Sequence, residues 1–332
     1  MIVHKQEVRE AHRPHLPTVW VWLAFAVVFF ALEGVLGWAV YREHWWLVVP
    51  LVLIVAHIMH AHSLAFHEAG HRTLCRNRFW NEAIGLFVGT ISLQCLTAFR
   101  AVHQTHHVHL AAENDEELWP FVVTGSPRWA RRLAAFCELT LGILYTPMLC
   151  LRTFVRPGSP IRNRAARRRV WAELVLMIVA WSCFLGVAAW LGAFKILLIT
   201  FFIPGGIAGN MHSLRKYTEH MGMTGATVLS STRSIVAQGV VGRLFSWSLF
   251  NINFHGVHHR YAKIPQARLP RFTSLLTPTE DGEVAPYPNY RSAFLEMVGS
   301  LRDPRVGAQW LHRHAEAPHA ESEVFAEAVT SS

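Results

Sequence analysis

The chain has 332 residues, 52% hydrophobic and only 16% charged, which is apolar for a soluble protein but leaves enough polar sequence for a sizeable aqueous cap. Its formal net charge of +9 is mostly arginine gathered between apolar runs, the pattern of membrane-flanking loops rather than of a nucleic-acid face, so no nucleic-acid partner is expected. Five cysteines, Cys75, Cys95, Cys137, Cys150 and Cys183, form no CxxC pair and read as small buried hydrophobes rather than as cluster ligands.

In chain order, Met1 to Pro17 is polar, and the apolar run after it has no small-residue cleavage site, so that run is expected to stay in the protein as a span. Two runs of the length a bilayer core requires follow, Val19 to Val40 and Trp45 to Phe66, joined by the turn Tyr41 to His44. They predict a helical hairpin. His57, His60 and His62 lie in or near its second arm, where imidazoles are rare, and the plain reading is a polar lining that hydrogen-bonds across the bundle. Asn81 to Phe99 is apolar but holds Gly85, Gly89 and Gln94, and is read as a re-entrant or interfacial segment. Leu133 to Leu151 is long enough to span but carries Glu138 and Pro147, and is read as an interfacial helix.

Arg152 to Arg169 holds seven arginines and no acid, a cytoplasmic-loop signature. Val170 to Leu191 and Phe194 to Met211 predict a second hairpin about Gly192 and Ala193, with Pro204, Gly205, Gly206 and Gly209 loosening the last helix towards its cytoplasmic end. An amphipathic stretch from Val236 to Phe254 follows. The whole predicts one all-α membrane domain over residues 1–316, with a disordered polar tail at 317–332.

Three histidine clusters stand at the ends of these segments: His67 and His71 in an HxxxH, and His103, His106, His107 and His255, His258, His259, each in an HxxHH. On a helix HxxxH stacks both rings on one face, and HxxHH places its rings at about 0°, 300° and 40°, again on one face. Eight imidazoles can satisfy two metal ions at four or five ligands each, whereas one tetrahedral zinc needs four and one haem at most two. An imidazole-rich, thiolate-free set suits iron, zinc, copper or nickel. A shared centre also constrains topology, because all three clusters must reach one side of the membrane, and so the two intermediate segments are not counted as spans. Glu68, Asp115 and Glu117 are candidate carboxylates to accept the imidazoles' second N–H, which fixes tautomer and ring orientation. Glu68 is offset by about 100° from His67 on a helix, which sets it behind the ligands rather than among them. Gly70 leaves room for close packing beside them. The chain has no iron–sulfur cysteine set, no b-type cytochrome motif and no flavin fingerprint.

The clusters resemble the three histidine boxes of the membrane fatty acid desaturase superfamily, which also contains hydroxylases, ketolases and sphingolipid-modifying enzymes. The resemblance runs from Trp45 to Pro270 and includes Asn251-Ile252-Asn253-Phe254 before the third box, Ile264-Pro265 after it, and the segment Arg215 to His220. It implies four transmembrane helices in two hairpins, interfacial helices and a cytosolic helical cap holding two iron ions. By the same resemblance the eight box histidines are ligands, His220 rather than His212 is a ninth, and Asn253 braces the third box. The implied reaction is O2-dependent desaturation of a long-chain fatty acyl lipid, with hydroxylation, ketolation or oxidative decarboxylation to a terminal alkene as alternatives on the same site. The first box is HxxxH where the acyl-CoA desaturases have HxxxxH, so the resemblance does not extend to an acyl-CoA substrate. Expected partners are the membrane, the lipid and a ferredoxin-like external electron donor, docked on a basic face formed by Arg128, Arg131, Arg132 and the cluster Arg162 to Arg169. The expected location is a bacterial inner membrane, with both termini and the metal site cytoplasmic. A zinc-binding membrane transporter, the reading from a different class, would need polar residues through several spans, and only His57 to His62 supplies any.

Overall fold

The computed structural model describes residues 5–12 and 16–311, so the expected tail at 317–332 and the last residues of the expected 1–316 domain lie outside the described residues. Among the described residues the architecture is all-α, with one isolated bridge between Ile235 and Tyr287 and no strand. After α1 (Lys5–Ala11), α2 (Leu16–Tyr41) turns into α3 (Trp45–His71). Later in the chain α8 (Arg164–Trp190) turns into α9 (Phe194–Leu197), a π-helical turn at Leu198–Phe202, and α10 (Ile203–His220). Among the described residues four helical runs are each long and apolar enough to cross a membrane: Val19–Tyr41, Trp45–His71, Arg164–Trp190 and Phe194–His220. Val27, Phe30, Val175 and Ile178 point outward from α2 and α8, an arrangement that lipid stabilises and water does not.

Three of these helices outrun the sequence expectation, Arg164–Trp190 at its arginine-rich start and two others at their ends. Trp45–His71 and Phe194–His220 have 27 residues each, which at about 1.5 Å per residue is about 40 Å, against a hydrocarbon core of about 30 Å. The surplus turns carry His67, His71 and His220. α3 stops where Arg72 adopts a left-handed conformation (φ 62°) and its N–H returns to the carbonyls of Ala69 and Glu68. It packs against α2 and α10 at the centre of the bundle.

The middle of the chain adds α4 (Arg78–Ile91), α5 (Leu96–Val108), α6 (Arg128–Thr140) and α7 (Gly142–Val155). α4 and α5 meet at 98°, and the end of α5 comes back to the end of α3, so the chain leaves and re-joins the bundle at one end. The single helix expected over 133–151 is instead broken at Leu141, and α7, with 14 residues, is too short to span. Gly209, one of the glycines expected to loosen the fourth span, instead sits at a helix crossing. A Cβ on Gly209 would lie 2.4 Å from the Ile143 nitrogen, and one on Gly142 2.3 Å from the Gly209 oxygen, so this pair allows α7 and α10 to cross backbone to backbone. The distortion is the π turn at Leu198–Phe202, just before Pro204 and at the end remote from the histidines.

The rest forms the cap: α11 (Val228–Ser231), α12 (Gly239–Ser248), α13 (His255–Arg260), a 3-10 stretch at Gln266–Leu276, and α14 (Tyr290–Ser300). The amphipathic stretch expected over 236–254 is helical only over α12. Phe250 and Asn251 then take left-handed φ of 55° and 60°, and this reversal turns the third cluster back to face the other two. The expected basic docking face keeps Arg128 and Arg132 exposed but not Arg131. Arg131 is buried, donates to the Pro304 carbonyl at 2.8 Å and pairs with Asp303, while Arg128 and Arg132 donate to the Arg302 carbonyl. These three arginines tie α6 to the loop after α14. Arg162, Arg164 and Arg168 remain exposed.

Candidate metal centre

The three clusters and His220 converge on one place as two quartets. One is His67 and His71 from α3, His103 from α5 and His258 from α13; the other is His106 from α5, His220 from α10, and His255 and His259 from α13. Within each quartet one candidate ligand atom per residue lies within 4.8 Å of every other. His103 Nε2 is 2.9 Å from His71 Nε2 and 3.1 Å from His107 Nε2, and His255 Nε2 is 2.7 Å from His220 Nε2 and 3.0 Å from His259 Nε2. His107 stands between the quartets, its ring centroid 4.7 Å from that of His258 and 4.5 Å from that of His259.

The donor set fits a pair of metal ions. Nitrogens bound about 2.1 Å from one ion at right angles lie about 3 Å apart, the spacing these Nε2 atoms already have. Among the described residues His258 has no hydrogen-bond partner at either nitrogen, and His107 and His259 have none at Nδ1. A buried polar atom left this way costs about 1–3 kcal/mol, and for His258 a metal ion would relieve part of it. Burial holds His107, His258 and His259 well below the usual imidazole value, with the neighbouring imidazoles adding to the effect. The rings are therefore neutral, with lone pairs free for a metal.

Several rings are aimed from behind. His103 Nδ1 donates to Glu117 Oε2 at 2.6 Å, and His106 Nδ1 donates to Asp115 Oδ2 at 2.8 Å. Asp115 is itself fixed by the N–H groups of Ala111, Glu117 and Leu118. Burial opposes a charge on His106, but the Asp115 and Glu117 carboxylates outweigh it and raise its pKa. Burial likewise works to raise Glu117, yet His103 and His106 hold it well below the usual carboxylate range. His220 Nδ1 donates to the Ser231 carbonyl at 3.1 Å. These bonds leave the Nε2 edges facing inward.

The other expected residues lie elsewhere. The Glu68 carboxylate accepts the Gln266 N–H at 3.3 Å rather than an N–H from a box imidazole, because its helical offset turns it away from the rings. Asn253 donates to the Ile235 carbonyl at 2.6 Å and braces the approach loop rather than a ring. His212 faces His60 and Ser63 and joins neither quartet. His57, His60 and His62 stay within the bundle, and His109 is exposed.

Some residues at the site stand outside the sequence motifs. The Gln266 side-chain amide lies 2.8 Å from His67 Nδ1; it can turn to present Oε1, which has no other partner among the described residues, to the Nδ1–H. Its one sequence signal is the Ile264-Pro265 that precedes it. Glu219 Oε2 is 3.4 Å from His255 Nδ1 and paired with Arg215. Arg100 donates to the carbonyls of Gly70 at 3.0 Å and Ala69 at 3.1 Å, between His67 and His71, and pairs with Glu82 at 2.6 Å. Glu173 accepts from Thr97 N at 2.9 Å and Thr97 Oγ1 at 2.6 Å, holding the first turn of α5. Phe99 stacks on His103 at 5.1 Å with planes 12° apart, and a Cβ on Gly70 would lie 2.8 Å from that ring.

A family model described as fatty acid desaturase matches residues 43–291, a stretch that includes all nine of these histidines. A fatty acid conjugase of Calendula officinalis is 23% identical over 242 residues, which cover 64% of this chain and 63% of the relative. The chain thus spans a little under two thirds of that relative's length. A fatty acid desaturase of Bacillus subtilis (strain 168) is 22% identical over 241 residues, 67% of this chain and 66% of the relative. A sphingolipid delta(4)-desaturase of Xenopus tropicalis is 23% identical over 295 residues, 86% and 81% of the two chains. Four membrane-length helices, two converging imidazole quartets and a family match over both lead to one assignment: the chain belongs to the membrane fatty acid desaturase family.

Proposed function

We propose that the protein is an O2-dependent desaturase of a long-chain fatty acyl lipid, working at two iron ions. One ion is held by His67, His71, His103 and His258, the other by His106, His220, His255 and His259, with His107 beside both. The observation that carries this reading is the pair of buried imidazole quartets meeting at one end of a membrane bundle. Relatives named for action on fatty acids and a sphingolipid support a lipid substrate. Iron bound there supplies the one-electron reactivity with O2 that removing hydrogen from an unactivated C–H bond requires. The chain's own part is to aim the rings through Asp115, Glu117 and Ser231, and to keep water off the site by burial. Electrons come from a ferredoxin-like donor, and the exposed Arg162, Arg164 and Arg168 offer an acidic partner a docking charge. The protein sits in a bacterial inner membrane as one domain over residues 1–316, with the metal centre, both termini and the arginine-rich loop cytoplasmic.

Metal analysis of the purified protein and lipid profiling of expressing cells test the proposal together. About two irons per chain and a double bond that disappears in His106→Ala are the expected results. Zinc alone, with no O2-dependent product, would overturn it.

A further inference from the structure

The first quartet depends on the register between two helix segments, because His67 and His71 sit in the last turns of α3 while His103 comes from α5. The last carbonyls of a helix have no partner within it. Arg100, one turn before His103 on α5, supplies that partner: its Nε donates to the Gly70 carbonyl at 3.0 Å and its Nη2 to the Ala69 carbonyl at 3.1 Å. Both carbonyls belong to the turn between His67 and His71. One planar side chain thus joins the turn that carries two of the rings to the helix that carries a third.

The guanidinium is itself held in place. Glu82 on α4 pairs with it at 2.6 Å, the two side chains being only 19% and 24% exposed, and the neighbouring Asn81 adds its own amide N–H to the Ala69 carbonyl at 3.0 Å. Glu82 also pairs with Arg169 on α8, Arg169 pairs with Glu173 at 3.1 Å, and Glu173 accepts the Thr97 N–H at 2.9 Å. The run of ion pairs leaves α5 at Arg100 and returns to it one turn earlier, at Thr97. Among the described residues the hydrogen bonds of Arg100 go to Ala69, Gly70 and Glu82, and none reaches α10 or α13, which carry three rings of the second quartet. We propose that Arg100 is a positioning residue for the first metal ion: it clasps the end of α3 to α5 so that His71 and His103 keep their Nε2 atoms 2.9 Å apart, and the second ion does not depend on it. Lysine cannot take its place, since a point charge lacks the fork that reaches two carbonyls and a carboxylate at once. The proposal rests on the two-ion reading and adds to it a residue from outside the histidine clusters.

Chelator competition on the full-length protein, loaded anaerobically with ferrous iron, tests it, with metal per chain read against chelator concentration. The wild type is expected to hold about two ions. In Arg100→Gln one of them is expected to leave at roughly tenfold lower chelator concentration while the other is unmoved, and Arg100→Lys is expected to behave in the same way. Pairing the variants identifies the ion: Arg100→Gln adds little to His71→Ala, which already opens the first quartet, and adds its full effect to His220→Ala, which opens the second. If Arg100→Gln does not fold, Glu82→Gln keeps the guanidinium, loosens its anchor and is expected to give the same selective shift at smaller size. An equal shift at both ions, unaltered affinity in a folded Arg100→Gln, or full retention in Arg100→Lys would overturn the proposal. A wild-type chain that holds fewer than two ions removes the two-ion reading itself, whereas two ions without a selective loss removes the role of Arg100 alone.

Discussion

The protein holds two sets of histidines inside the fold, and the contrast between them bears on what makes a site. At the cap, eight imidazoles converge in two quartets with His107 between them, and Asp115, Glu117, Gln266 and the Ser231 carbonyl stand behind the rings. Inside the spans, His57 bonds Ser248 at 2.9 Å and lies over Phe245, and His62 meets Trp22 and Phe29 edge-on. His60 meets His212 at 5.9 Å, and both its nitrogens lack a hydrogen-bond partner among the described residues. Nothing gathers these four rings. His60 is on the face of α3 that carries His67, but seven residues at about 1.5 Å each put it about 10 Å away along the axis, too far to share an ion. Imidazole density is common to both regions; convergence and aimed nitrogens belong to one.

The contrast is tested most directly at His106. His106→Ala opens one quartet and is expected to lower desaturated lipid by more than the roughly 10- to 100-fold that loss of an outer partner costs. Metal content per chain, read by elemental analysis, is expected to fall with it. Next come the carboxylates behind the rings. Asp115→Asn and Glu117→Gln keep shape but weaken the acceptor of an imidazole N–H, and competition with a chelator is expected to show metal held roughly 10- to 100-fold less tightly. Gln266→Ala removes a neutral partner of His67, worth about 1 kcal/mol or roughly fivefold, in the same assay. Equal losses from all three would mean that the partners matter only for packing.

Much of this arrangement is legible in the sequence because it is written in local spacing. The HxxxH and HxxHH patterns place rings on single helix faces, and the need for one shared side argues against counting α4–α5 and α6–α7 as extra spans. Helix ends are less legible. His67 to His71 and Ser213 to His220 are too polar to read as membrane, yet they continue helices whose partners lie in the cap. Gln266 is 199 residues from His67 and belongs to no periodic pattern, so only the folded chain brings them together. The arginines teach a different lesson. Counting charge cannot separate a solvated Arg162 from Arg131, whose donors are taken up by the Pro304 and Ser126 carbonyls and by Asp303.

The smallest expected effect is the most telling, because its sign is opposite. His60 is 2% exposed, with two nitrogens that have no partner among the described residues, and such a group costs about 1–3 kcal/mol of desolvation. Leucine has a similar volume and no polar atom, so His60→Leu exchanges that cost for a modest repacking strain. The net is expected to be neutral to about 1 kcal/mol stabilising, seen as a thermal midpoint in detergent that is unchanged or raised by a few degrees. Metal content is expected to stay at the wild-type value. In the cap, removal of one imidazole opens a quartet; in the span, removal of one relieves the bundle. Loss of metal from His60→Leu would place His60 with the cap histidines and dissolve the distinction between the two sets.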